Sequence, residues 1–413
     1  MTESTRWTAA EAAARLGVKP ETLYAYVSRG LLGRVRTSGG STFDPVEVER
    51  FAAARRRSAP DRPTVVIRDG RAAAGPQITI DTDVTLIEDD ELYYRGRSVT
   101  ELARTTRFET VCHWLWTGDF ADPVRFRPLP GAIEAVRPVL TALPAGARLS
   151  DRVQVMVPVI AGADPLREVL APESVAVRVG ALLATLTAGL DDRGSVIHRD
   201  DQPDLADQLA AALTGNPDAP RQLADCVRAA LVLLVDHDLA ASTMAARTAA
   251  SARADPYAVV LSGLGALDSA LHGNASRAAY RMLSAVRAGD DARTVIARML
   301  AGGRAGVPGF GHRIYRAADP RAELIFELLA GLEGAEPALD AAAAVSGIVA
   351  DKGVIFRNVD LGLATLALAA GMGEDAGEVI FSIARIGGWI AHAIDEYRQT
   401  PLRLRPVGRY VGP

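Results

Sequence analysis

The segment Gly306-Val307-Pro308-Gly309-Phe310-Gly311-His312-Arg313-Ile314-Tyr315-Arg316-Ala317-Ala318-Asp319-Pro320-Arg321 sets three glycines beside a histidine and three arginines, between two Ala- and Leu-rich helical segments. Glycines let a backbone approach a ligand closely, and loops between packed helices commonly carry binding chemistry. The competing reading is a plain turn, with Arg313, Arg316 and Arg321 as surface charges and Asp319-Pro320 starting the next helix. Three further stretches bring titratable groups to the ends of apolar helical runs: Asp236-His237-Asp238, Leu271-His272-Gly273 and Asn358-Val359-Asp360. With the opening segment they account for three of the six histidines, His237, His272 and His312, each at or near a loop where a side chain can face a cleft.

The elements that must position these groups are mostly helices. At 413 residues the chain exceeds one small core, and two or three domains are expected. Abundant alanine and 5% aromatics favour packed helices over β-sandwiches. Short β-like pieces are expected at Thr64-Val65-Val66-Ile67, at Ile78-Thr79-Ile80 and from Glu91 to Gly96, with helical patterns from Val99 onward. In the last long helix Val379, Ile383, Ile386, Ile390 and Ile394 form an apolar stripe, and Arg385 and His392 fall off it. Gly387-Gly388 would admit another helix at close range.

Composition also excludes classes. Cys112 and Cys226 are the only cysteines, so neither a disulfide framework nor a cysteine zinc site is expected, and the compartment is expected to be reducing. No signal-peptide pattern or bilayer-length apolar run appears, which predicts a cytoplasmic protein with no membrane partner. Gly263-Leu264-Gly265 lacks a third glycine and a leading strand, so no Rossmann or ATP site is expected. Asp236-His237-Asp238 is not read as a metal set, because adjacent helical residues diverge.

Residues 1–60 hold ten Lys/Arg against six Asp/Glu, whereas the whole chain has a net charge of −4. Thr8 and Glu11 fit a capping box, Gly17 stops a first helix, and Pro20 opens a second that runs to about Arg29. With the turn at Ser38-Gly39-Gly40 and Phe43-Asp44-Pro45 before another helix, this stretch resembles a MerR-like or excisionase-like winged helix-turn-helix module. The resemblance implies DNA contact through the second helix. The wing carries Thr37, Ser38, Ser41 and Thr42 where such modules often place arginine. Two readings therefore stand: DNA binding, and a module kept for packing or dimer contacts. The module is assigned to residues 1–57 and a Pro-rich linker to 58–76.

From roughly Thr79 to Pro413 the chain resembles citrate synthase. The resemblance rests on Tyr94-Arg95-Gly96, the His237 segment, Leu271-His272-Gly273, Gly309-Phe310-Gly311-His312 through Asp319-Pro320-Arg321, Asn358-Val359-Asp360, and a terminal Arg405-Pro406 followed by Arg409-Tyr410-Val411-Gly412. It implies a large helical domain over 77–413 with a smaller domain inserted at about 256–355. It also implies condensation of acetyl-CoA with oxaloacetate and water to citrate and CoA, an entry reaction of the tricarboxylic acid cycle, with no tightly bound cofactor.

By the same resemblance Asp360 matches the base, His272 the donor to the thioester carbonyl, and His312 the donor to the oxaloacetate carbonyl. His237, Arg321 and Arg385 match the oxaloacetate site, and Arg405 an arginine supplied by the neighbouring subunit of a homodimer. Val307, Pro308, Gly309, Phe310 and Gly311 would receive the CoA arm, with Arg316 meeting a phosphate. Singly, His272 reads equally well as a helix cap, Asp360 as a solvated acid and Arg385 as an interior ion pair; their order along the chain is what those readings leave unexplained. The sequence departs from the family at Asn274-Ala275-Ser276-Arg277, at Arg357 and at Leu361-Gly362-Leu363, which leaves 2-methylcitrate synthase, using propionyl-CoA, as the nearest rival. A ligand-sensing DNA-binding regulator built on the same body is the rival from another class.

Overall fold

The computed structural model describes residues 6–37, 40–44, 47–48, 51, 79–121, 123–191, 204–269, 272–273, 275–301, 306–350, 355–407 and 409–412. The expected linker at 58–76, the Ser38-Gly39 part of the expected turn and the expected strand at Thr64–Ile67 lie outside these residues. The chain divides into two compact units, Met1–Asp81 and Thr82–Pro413.

In the first unit, β1 (Trp7–Thr8) leads into α1 (Ala9–Leu16), followed by α2 (Pro20–Ser28), β2 (Val35–Thr37) and β3 (Gly40–Phe43). The capping box forms as expected. Thr8 N donates to Glu11 Oε2 at 2.7 Å, and Glu11 N donates back to Thr8 Oγ1 at 3.3 Å. Gly17, at φ 62°, ends α1, and Pro20 opens α2. The strands pair antiparallel in the order β1-β3-β2 over a small core of Ala12, Ala13, Leu16, Leu23, Leu32, Phe43 and Val48.

The second unit opens with a small antiparallel sheet, β4 (Thr85–Glu88), β5 (Glu91–Tyr94) and β6 (Arg97–Ser98). Thr79 and Ile80 belong to no strand, contrary to expectation; the pairing begins at Thr85. Asp89 (φ 51°) and Asp90 (φ 62°) supply the two left-handed residues that a tight hairpin requires.

Helices follow: α3 (Val99–Thr105), α4 (Phe108–Thr117), α5 (Ala132–Thr141), α6 (Leu149–Ala163), α7 (Pro172–Gly189), α8 (Leu205–Thr214), α9 (Arg221–Leu234), α10 (Ala241–Ser251) and α11 (Pro256–Leu267). The remainder are α12 (Ala275–Arg287), α13 (Ala292–Ala301), α14 (Pro320–Leu329), α15 (Glu336–Ala350), α16 (Val359–Ala369) and α17 (Ala376–Arg398). Among the described residues no helix is long and apolar enough to cross a membrane.

Two apolar cores result. The larger gathers α3 to α11, α14, α16 and α17; Val259, Val260, Leu264 and Leu267 place α11 in it, and Leu324, Ile325 and Leu329 place α14. The smaller joins Met282 and Leu283 of α12, Val295 and Ile296 of α13, and Val345 and Val349 of α15 to Phe326 of α14 and to Leu361, Ala364 and Leu368 of α16. Thus α16, which starts beside Asp360, is shared by both.

Helix α17 is the axis of the larger core. It is buried on every side from Ala376 to Ile394, not along one stripe, because α4, α6, α9, α10 and α11 all pack on it. Arg385 and His392 are therefore inside the protein. The close approach expected at Gly387-Gly388 is real: Gly388 N donates to Val235 O at 3.1 Å, and Trp116 Nε1 donates to Gly387 O at 2.8 Å. A Cβ on Gly388 would lie 2.2 Å from Val235 O.

This contact fixes where α9 ends, and with it Asp236 and His237. Gly388→Ala is expected to lower the unfolding free energy by about 1–3 kcal/mol in denaturant titration, because the backbone it meets cannot step aside. Gly265→Ala, in α11 with nothing within 4 Å of the added Cβ, is expected to raise stability by about 0.5–1 kcal/mol. Equal effects at the two positions would contradict the packing described.

Candidate active site

The loop before α14 and the entry to α16 are zipped together. Asn358 N donates to Gly309 O at 2.9 Å, and Gly311 N donates to Phe356 O at 2.8 Å. Phe310 and Arg357 form an antiparallel bridge between these bonds, and Asn358 Nδ2 reaches Gly311 O at 2.9 Å. Gly309 is required here. Its φ is 85°, and a Cβ would meet Leu361 Cβ at 2.8 Å. The zip joins the loop bearing His312 to the helix end bearing Asp360.

Asn358 caps α16 by accepting from Asp360 N at 3.0 Å. The Asp360 side chain makes no such bond: Oδ1 is buried without a hydrogen-bond partner among the described residues. Burial pushes its pKa up to about 7, against the pull of the Arg321 guanidinium and with some help from Asp319.

Asp319 ties the cluster together. Its Oδ1 accepts from Arg321 N at 3.1 Å and Arg321 Nε at 2.9 Å; Oδ2 accepts from Arg321 Nη2 and from Val359 N, both at 2.9 Å. One buried carboxylate thereby orients a buried guanidinium and satisfies a free N–H in the first turn of α16.

The three histidines are neutral, each with a defined environment. His312 Nδ1 accepts from Ile314 N at 3.1 Å and Tyr315 N at 3.3 Å, which puts its proton on Nε2. Burial, with Arg321 adding to it, lowers its pKa to about 4. His237 lies edge-on to His312 with ring centroids 5.1 Å apart, and its Nε2 is 3.1 Å from Tyr315 Oη. Burial holds His237 well below its ordinary range, with Arg321 and Arg385 contributing.

His272 Nε2 is 2.8 Å from Ser242 Oγ, which also accepts from Trp389 Nε1 at 3.3 Å. The serine hydroxyl has no other acceptor among the described residues, so it donates to Nε2 and leaves the His272 proton on Nδ1. Burial and then Arg385 bring this pKa to about 4.

The expected binding residues fall in different places. Arg385 is 1% exposed; its Nε donates to Leu234 O at 2.8 Å, its guanidinium lies 4.7 Å from the Phe381 ring centroid, and no carboxylate pairs with it among the described residues. Burial lowers its pKa. Asp236 acts on it electrostatically without pairing directly, and a buried guanidinium whose N–H groups are not taken by a carboxylate suits an anionic ligand. Arg321 acts electrostatically on His237, His312 and Asp360, and Arg385 on His237 and His272, so these six groups share one region.

In the CoA candidate loop, Pro308 and Gly309 are buried, Val307, Phe310 and Gly311 are partly so, and Arg316 is exposed. Arg316 N and Ala317 N both donate to the Asp90 carboxylate at 2.7 Å, fixing the loop to the β4–β5 hairpin. Arg405 is exposed on the C-terminal segment.

Several participants were not singled out from sequence. In the sequence Asp319 reads as a helix starter and as part of the Asp319-Pro320-Arg321 landmark, with no role of its own in the site. Tyr315 touches His237 through its hydroxyl and His312 through its N–H, and the Arg321 guanidinium lies 5.4 Å from its ring centroid. Asp236 turns away from His237, accepting from Thr85 Oγ1 at 2.5 Å and from His392 Nε2 at 3.1 Å. Ser242 lies four residues beyond Asp238 and carries no motif of its own.

The family description "Citrate synthase, C-terminal domain" matches residues 76–407, and "Helix-turn-helix domain" matches residues 8–56. The chain belongs to the citrate synthase family, and it is an enzyme of that type preceded by a helix-turn-helix domain. Citrate synthase 2 of Bacillus subtilis is 27% identical, covering 80% of this chain and 93% of its own. The 2-methylcitrate synthase of Shewanella oneidensis is also 27% identical, over 78% of this chain and 88% of its own. Among solved structures, citrate synthase from Pyrobaculum aerophilum aligns with a TM-score of 0.67 at 22% identity, covering 92% of this chain and 95% of that one. A ternary complex of carboxymethyl coenzyme A and oxaloacetate with citrate synthase from Thermoplasma acidophilum aligns with a TM-score of 0.66 at 23% identity, covering 80% and 93%. These last two establish the shared fold.

The proton assignments are open to direct measurement. Nitrogen-15 imidazole spectra are expected to show His312 protonated on Nε2 and His272 on Nδ1, both staying neutral down to about pH 5 and titrating near 4. Titration of either near 6.5 would contradict the buried, arginine-flanked setting.

Proposed function

We propose that the enzyme condenses acetyl-CoA with oxaloacetate and that Asp360, His272 and His312 carry the chemistry. The observation that supports this most is Asp360 itself. It is a carboxyl group with one oxygen buried and unpartnered, tuned to about 7, and joined by a backbone zip to a histidine that presents an N–H. A base of that strength near neutral pH suits removal of a weakly acidic proton.

In this reading Asp360 takes a proton from the thioester methyl group while the Nδ1–H of His272 steadies the enolate oxygen. The enolate carbon attacks the keto carbon of oxaloacetate, and the Nε2–H of His312 stabilises the alkoxide that forms. Water then adds to the acyl carbon of citryl-CoA and the thiol leaves, giving citrate and CoA. Arg321 and Arg385 hold the carboxylates of oxaloacetate with His237, and the 307–311 loop with Arg316 receives the CoA arm.

The smaller lobe closes over oxaloacetate before the thioester is attacked, which keeps water from hydrolysing it early. Arg405, exposed on its own subunit, completes the site of a partner in a homodimer. Buried, reduced Cys112 and Cys226 agree with a cytoplasmic location.

For the N-terminal domain we propose DNA contact through α2 and the β2–β3 hairpin. Tyr24 of α2 is exposed, the Arg34 guanidinium lies 5.9 Å from its ring centroid, and Arg36 is exposed on β2. Fluorescence anisotropy with duplex DNA is expected to show binding that weakens steeply with salt and falls when Arg34 and Arg36 are replaced by alanine. No binding at low salt would leave packing or dimer contacts as the role of this domain.

Thiol release from acetyl-CoA should depend on oxaloacetate and fall about 10²- to 10⁴-fold in Asp360→Asn. Below pH 7 the kcat/KM for the acyl donor should drop about tenfold per pH unit as Asp360 takes up a proton, while the histidines keep their state. An acid limb near 4 would remove Asp360 as the tuned base. Faster turnover of propionyl-CoA than of acetyl-CoA would make the enzyme a 2-methylcitrate synthase with the same catalytic set. A folded wild type that binds DNA but releases no thiol would replace both with a ligand-sensing regulator.

A further inference from the structure

Beyond the end of α17 the chain is pinned before it reaches Arg405. Leu402 N donates to Ser251 O at 2.7 Å, and Arg253 donates to the carbonyls of Glu396 at 2.9 Å and Gln399 at 2.5 Å. The Arg403 side chain, 6% exposed, turns inward, and its Nε donates to Glu396 Oε2 at 2.9 Å while Nη2 donates to Oε1.

Glu396 is the start of a buried chain of polar contacts. Its Oε1 also accepts from Arg247 Nη2 at 2.8 Å, and Arg247 Nη1 donates to His392 Nδ1 at 2.7 Å. Because arginine only donates, His392 Nδ1 accepts and its Nε2 donates to Asp236 Oδ2 at 3.1 Å. Asp236 directly precedes His237. Two carboxylates and two guanidinium groups balance along this path, and every member lies inside the protein.

We propose that Arg403 is a positioning residue for oxaloacetate binding. Anchored on Glu396, it fixes the C-terminal segment so that Arg405 leaves the surface at one place. Two residues of chain reach about 7 Å at most, so holding Arg403 confines the backbone of Arg405 to that radius. The far end of the same path holds Asp236 behind His237. A surface arginine needs no such anchor: a tail held only by its backbone would leave its guanidinium free to wander, and binding would lose the advantage of a preset donor. The inference rests on the reading that Arg405 serves an oxaloacetate site.

The test compares Arg403→Gln, Arg403→Lys, Arg405→Ala and the double variant Arg403→Gln/Arg405→Ala as full-length enzyme, with denaturant midpoints measured alongside. Arg403→Gln and Arg405→Ala are each expected to raise the KM for oxaloacetate about tenfold or more, with the KM for acetyl-CoA changed less than twofold. The double variant should resemble the single ones, and Arg403→Lys should recover part of the loss because it restores a charge to Glu396. If Arg405→Ala leaves oxaloacetate binding unchanged, the role given to Arg405 fails and this inference with it. If Arg405→Ala raises the KM but a folded Arg403→Gln behaves as wild type, the role of Arg405 stands and the anchor is refuted. Multiplying effects in the double variant would also refute it.

Discussion

The Asp319 carboxylate is the contact on which the site depends. It is buried, it holds the Nε/Nη2 edge of Arg321, and it accepts the Val359 N–H at the start of the helix that carries Asp360. A buried guanidinium needs a carboxylate to be tolerated, and a helix start needs its free N–H groups satisfied. Meeting both needs with one side chain fixes the buried Arg321 guanidinium relative to the Asp360 carboxyl group. The zip between 309–311 and 356–358 then brings His312 to the same place.

Burial, not ion pairing, governs the protonation states that follow. For Asp360 it outweighs the Arg321 guanidinium and raises the carboxyl to about 7; for His272 and His312 it acts with the arginines and lowers the imidazoles to about 4. Near neutral pH a base and neutral N–H donors therefore coexist, which enolate chemistry requires and which water-exposed copies of these residues would not provide. Arg385, enclosed beside the Leu234 carbonyl with the Asp236 carboxylate acting on it from beyond ion-pair distance, adds to the positive potential that keeps His237 and His272 neutral.

Local features were legible in the sequence because they act over three or four residues. The Thr8/Glu11 capping box, the Gly17 stop and the Pro20 start could each be read from the letters alone. The Gly387-Gly388 pair announced a close contact without naming its partner, Val235, some 150 residues earlier. What stayed hidden depends on distant pairs. Asp236 meets His392, and Arg247 meets Glu396, across about the same separation. The breadth of burial on α17 does not show in a stripe, which counts one neighbour, whereas α4, α6, α7, α9, α10, α11, α12 and α16 all pack on it. Tyr315 carried no pattern of its own; only the fold shows that it touches three site residues.

The central claim is that Asp360 removes a methyl proton from the thioester. Deuterium uptake tests this most directly: acetyl-CoA recovered from D2O after incubation with the enzyme and a four-carbon hydroxy diacid, which cannot be attacked, is examined by mass spectrometry. Wild type is expected to label the methyl group, and Asp360→Asn is expected to leave it unlabelled over the same period. Equal labelling by a folded Asp360→Asn variant would contradict the account.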